Sequence, residues 1–90
     1  MRNQNSLNNT NQLSRSNYMD PLFCNITGVK KADDGEFEEA LEYFTEAIKL
    51  NPSDFISYFN RASIRMHFHD IKGARMDFKI AEELRAGRGI

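Results

Sequence analysis

Shifted against itself by 34 residues, this chain matches at helical spacing, and few folds permit that. The shift sets Phe37 on Ile71, Ala40 on Ala74, Phe44 on Phe78, Ala47 on Ala81 and Leu50 on Leu84. A fixed period in this range marks a stacked helical repeat, in which each unit buries its apolar face against its neighbour. The unit is clearest from Asp34 to Pro52. Its apolar residues Phe37, Ala40, Leu41, Phe44, Ala47, Ile48 and Leu50 follow the 3.6-residue period and leave Glu on the outer face. Pro52 closes the run, because it lacks an N–H and biases Asn51 away from helical backbone.

The same reasoning extends to the rest of the chain. Asp20 is placed to cap a helix, and Pro21 suits its first position, so helix one is predicted from Pro21 to Asp33. Gly28 inside it costs about 1 kcal/mol against Ala. It aligns with Ala62, where the first helix of a unit crosses its partner closely, so packing explains it better than flexibility. Asp33-Asp34-Gly35 makes the turn into helix two, predicted from about Glu36 to Leu50. Ser53 or Asp54 caps helix three, with an apolar face that includes Tyr58, Ala62 and Met66. His67 to Asp70 form the second turn, and Asp70 caps helix four, which ends near Arg85 before Gly87-Arg88-Gly89.

The offset and the residue types resemble the tetratricopeptide repeat. Ala40-x3-Phe44-x2-Ala47 followed by Pro52 is similar to the second helix of that motif. Tyr58-x2-Arg61-Ala62 and Ala74-x3-Phe78-x2-Ala81 are similar to both helices of the next. The resemblance covers about Asp20 to Arg85. It implies an all-α fold of two tandem helix-turn-helix hairpins, four antiparallel helices in all. The domain would span residues 18–86, with repeat one at about 21–54, repeat two at about 55–86, and 87–90 as a flexible end. The first helix is the weakest match, because Cys24, Thr27 and Lys31 stand where the motif has large apolar residues. Loose packing is expected there. Between the units Leu41 becomes Arg75, Tyr43 becomes Asp77 and Ile48 becomes Glu82. A terminal repeat carries a polar outer face, so these changes lead to the expectation that nothing follows unit two.

Composition narrows the function. Residues 1–17 hold six Asn, two Gln, three Ser and one Thr, with only Leu7 and Leu13 to bury, so a disordered tail is expected. Asn8-Asn9-Thr10 and Asn25-Ile26-Thr27 fit the glycosylation pattern, but without a secretory signal they read as coincidence. Lys and Arg number 12 against 13 Asp and Glu, so net charge draws the chain to neither nucleic acid nor a membrane. The charge is uneven, with seven carboxylates and no basic residue from Asp33 to Glu46, and seven basic against four acidic residues from Arg61 to Arg88. The favoured reading is a set of solvated helix faces, and the sharper one is an acidic face docking on a basic face of another copy. Cys24 is the only cysteine, which excludes an intrachain disulfide. With no apolar run of spanning length, the cytoplasm is the default location.

His67-x-His69-Asp70 is the one cluster with ligand-like residues, and a polar turn capped by Asp70 accounts for it better than zinc does. No cofactor, metal or catalytic activity is expected. What remains is surface. In proteins with this repeat, the first helices line a concave groove that holds a peptide or another protein's helix. By matched position, that resemblance assigns Leu22, Asn25, Val29, Phe59, Asn60, Ser63, Met66 and His67 to the groove. Some family members grip a terminal carboxylate there. Asn60 matches the middle element of that clamp, while Asn25 and Val29 replace its first Lys and Asn. Asn60 therefore has two readings, a ligand contact or a hydrogen bond between helices. Two functions follow as expectations. One is a small protein–protein interaction adaptor or scaffold that binds a peptide or protein segment. The alternative is a self-association unit, a homodimer in which two copies complete the stack, because repeat folds usually need three units.

Overall fold

The computed structural model of this chain describes residues 20–87. The expected tail over 1–17 lies outside the described residues, as do residues 88–90 of the expected flexible end. Four helices run in sequence: α1 (Pro21–Asp33), α2 (Phe37–Leu50), α3 (Phe55–His67) and α4 (Ile71–Arg85). The described residues contain no strand, and the all-α hairpin architecture holds.

Local chemistry sets the helix ends. Asp20 accepts a hydrogen bond from the Leu22 N–H at 2.9 Å, Asp54 from Ile56 at 3.1 Å, and Asp70 from Gly73 at 3.0 Å. Each satisfies a donor that the first turn would leave unpaired. Glu36 opens α2 without such a bond, and Glu38 and Glu39 place negative charge in its first turn instead. The two hairpin turns are built alike. Glu36 N–H donates to Lys31 C=O at 2.8 Å and Gly35 to Ala32 at 3.0 Å; 34 residues on, Asp70 donates to Arg65 at 2.8 Å and His69 to Met66 at 2.9 Å. This helix stop needs a left-handed residue. The first turn uses Gly35 at φ 82°, whereas the second forces His69 to φ 63°.

Each helix packs mainly on its chain neighbours: α1 on α2, α2 on α3, and α3 on α4, with a smaller contact from α1 to α3. Among the described residues the backbone of α4 does not come close to that of α1 or α2. Ala40, Ala47, Ala62, Ala74 and Ala81 are completely buried, and their small side chains let the helices approach. Phe44 and Ile64 fill the centre with Ala40, and Ala32, Phe37 and Leu41 pack around them. The expected looseness of α1 does not hold at its middle. Cys24 is fully buried, and a Cβ at Gly28 would lie 2.4 Å from Phe44 Cε1. Gly28 is there because the ring needs its space.

Two expectations need correction. Asp77 was assigned to a polar outer face, yet it is 1% exposed. Arg61 grips it through Nε at 2.8 Å and Nη2 at 3.0 Å, and Arg65 adds Nη1 at 2.9 Å. Arg61 also reaches Thr45 Oγ1 on α2 at 3.5 Å. Bidentate geometry and three charge-assisted bonds offset the cost of removing this carboxylate from water. Arg75 and Glu82 are exposed as expected. Met66, expected on the apolar face of α3, is 45% exposed.

Candidate peptide-binding groove

The α1 residues Leu22, Ile26 and Val29 stand at i, i+4 and i+7, so helical geometry puts them on one face. Ile56 and Asn60 make the matching face of α3. With Asn25 they line a depression of about 340 Å³ between the two helices, which is at the lower end of ligand-pocket sizes. Its walls are apolar and open to solvent: Leu22 is 65% exposed, Ile26 60%, Val29 43% and Ile56 50%. Four neighbouring large aliphatic side chains are thus left in water on one face.

A polar seam lies under this patch. Asn25, buried, donates through Nδ2 to Ser57 Oγ at 2.8 Å and to Asp54 Oδ2 at 3.3 Å. Ser57 Oγ donates to Asp54 Oδ2 at 3.1 Å, and Asn60 Nδ2 donates to Asn25 Oδ1 at 3.2 Å. The helix-to-helix role of Asn60 is therefore realised. Behind the seam, burial pushes the Cys24 thiol above its ordinary pKa, and the carboxylates of Glu46 and Asp20 add to the effect. No charged side chain is among the residues lining the depression.

Of the residues assigned from sequence, Leu22, Asn25, Val29 and Asn60 come together here. The other four are elsewhere. Phe59 sits in an aromatic set with Phe55 at 6.2 Å and Phe78 at 5.9 Å between ring centroids. His67 stacks on Phe37 of α2 at 3.6 Å. Ser63 donates to the Phe59 carbonyl at 3.1 Å, and Met66 stands exposed near the end of α3. Ile26 and Ile56 were missed. The 34-residue register could have found Ile56, since it sets Leu22 on that position. A second depression, lined by Lys31, Glu39, Glu42 and Tyr43, is a surface charge cluster in which Lys31 is already paired to Glu39 at 3.0 Å and Glu36 at 3.2 Å.

Comparison with known proteins decides the family. Over 64 residues, 71% of this chain, it is 42% identical to tetratricopeptide repeat protein 36 of Homo sapiens and 41% identical to that of Mus musculus. It is 46% identical over 41 residues, 46% of the chain, to the TPR repeat-containing thioredoxin TDX of Oryza sativa subsp. japonica, of which that is 13%. The chain belongs to the tetratricopeptide repeat family. It spans 34% of the length of the human and mouse relatives, about a third. No protein-family profile matches the chain, and no solved structure matches it significantly. As tetratricopeptide repeats, its two hairpins form a generic protein-interaction module. No helix among the described residues is long and apolar enough to cross a membrane.

Proposed function

We propose that this tetratricopeptide repeat chain is a small adaptor that holds an apolar peptide segment of a partner protein in the α1–α3 groove. The observation that carries the reading is the exposed aliphatic wall of Leu22, Ile26, Val29 and Ile56, set beside the Asn60 amide. The aliphatic side chains supply area, and Asn60 supplies an acceptor for a backbone N–H of the peptide. With no cation at the clamp positions Asn25 and Val29, a terminal carboxylate is not the feature recognised. Affinity therefore depends little on salt, because no ion pair is screened. The proposed setting is the cytoplasm, which suits the lone thiol of Cys24.

The test uses synthetic peptides of one length carrying a Leu-, Met- or Phe-rich centre, with acidic and scrambled polar controls. Binding is followed by amide chemical shifts of the labelled full chain. The expected result is saturable shifts at Leu22, Ile26, Val29, Ile56 and Asn60 with the apolar peptides alone, lost in a folded Ile26→Asp/Ile56→Asp variant. Shifts confined to other surfaces, or full binding by that variant, would remove the groove from the account.

A further inference from the structure

The structure points to a second surface, and we propose that the outer face of the α3–α4 hairpin takes the α1 face of a second copy of this chain, head to tail. The argument comes from the contact between the two hairpins inside one molecule. There, Asn25 of the first hairpin meets Ser57 and Asn60 of the second at 2.8 and 3.2 Å. Moving each partner by the 34-residue register gives the contact that a next hairpin would make. Asn25 becomes Phe59, Ser57 becomes Phe23 and Asn60 becomes Ile26. A polar contact within the chain is thus replaced, across copies, by three apolar residues that fit one another.

All three are open to solvent in the single chain. Ser57, completely buried by the first hairpin, corresponds to Phe23, which is 38% exposed. Ile26 is exposed, and Phe59 is half-buried against Phe55 and Phe78. The register also pairs Phe44, 2% exposed, with Phe78, 37% exposed. Phe78 thus stands where the first hairpin has its covered core ring. At Ile64, which covers that ring from α3, the next copy would bring Lys30; its stem lies over Phe78 while its amine stays in water. Arg75 and Glu82, standing for Leu41 and Ile48, keep the contact weaker than the internal one. The contact is heterologous, since one copy offers α1 and the other α3 and α4, so it extends as a row. Phe23 and Phe59 do not line the groove depression, so this contact shares only Ile26 with the peptide-binding wall and is tested through the two phenylalanines.

Mass of the full chain is measured by light scattering over about 5 µM to 1 mM, which covers dissociation constants from the micromolar to the millimolar range. The wild type should rise above its 10.4 kDa monomer mass. Phe23→Asp and Phe59→Asp should each weaken association by about tenfold or more, because each sets an unpaired charge in the contact. Mixed in equal amounts, they should form a species of twice the monomer mass and nothing larger, since one intact α1 face meets one intact α3–α4 face. A wild type that stays monomeric throughout overturns the proposal. So does loss of association in Phe59→Asp alone, which would mean two identical faces paired, or a mixture that stays monomeric. Helical circular dichroism checks each variant, and Phe23→Ser replaces Phe23→Asp should the latter fail to fold.

Discussion

Gly28→Ala sets two well-characterised effects against each other, and the geometry decides the sign. Alanine gains about 1 kcal/mol in helix propensity. Its Cβ would fall 2.4, 2.7 and 2.9 Å from Cε1, Cδ1 and Cζ of Phe44, where carbon atoms rest at about 3.5–4.0 Å. The ring must move by roughly 1 Å, and it is a rigid body held among Ala40 and Ile64 with 2% exposure. Overpacking of this kind costs about 1–3 kcal/mol, and three simultaneous clashes with one rigid group put it at the upper end. A net loss of about 1–2 kcal/mol is expected. Urea unfolding followed by circular dichroism measures it. Phe44→Leu should relieve the clash, so the double variant should be more stable than the sum of the singles by about 1 kcal/mol or more. The matched position holds Ala62, and the matched ring, Phe78, is 37% exposed where Phe44 is 2% exposed. A Gly28→Ala midpoint at or above the wild type would refute the close-approach reasoning.

Asp77→Ala leaves Arg61 partly buried without its carboxylate and Arg65 with only Asp70 at 3.7 Å, and a loss of about 3 kcal/mol is expected in the same assay. Replacing Asp77 and Arg61 together by Leu should recover most of it. Because folding raises the pKa of the Cys24 thiol, the fold favours the neutral form. Its contribution is complete below the unfolded-state pKa and is lost as pH rises through the folded value, so the urea midpoint should fall on the alkaline side. Cys24→Ser should flatten that fall, and iodoacetamide should label the wild type slowly until it unfolds. A midpoint equally steep in pH without the thiol would assign the effect elsewhere.

The repeat register was legible because packing geometry repeats along with sequence. Helices one turn longer or shorter would not bring Ala40 onto Ala74 or Phe44 onto Phe78. Four of the six groove residues came with that register: Leu22, Asn25, Val29 and Asn60. Ile26 was not legible, since an isoleucine at helical spacing reads as core and only the course of the neighbouring helix leaves it 60% exposed. Asp77 misled for the opposite reason. A charge at a core position looks like surface until its cations are located, and both lie on the preceding helix, 12 and 16 residues away. Phe59 was drawn off by aromatic neighbours that no spacing rule identifies as closer than the groove.

The mainly neighbour-to-neighbour packing of the helices bears on how quickly the groove is rebuilt after the chain is denatured. Turns of three, four and three residues join the helices, so most contacts close short loops, and the α1–α3 seam of the groove needs only the first two turns in place. Helical chains dominated by local contacts refold in on the order of microseconds to milliseconds. Association with a partner at micromolar concentration takes on the order of a tenth of a second to several seconds. Refolding should therefore finish before a partner arrives, and capture kinetics started from urea should match those started from native protein. A lag in stopped-flow binding after dilution from denaturant would show that the two hairpins do not assemble at the speed their connectivity allows.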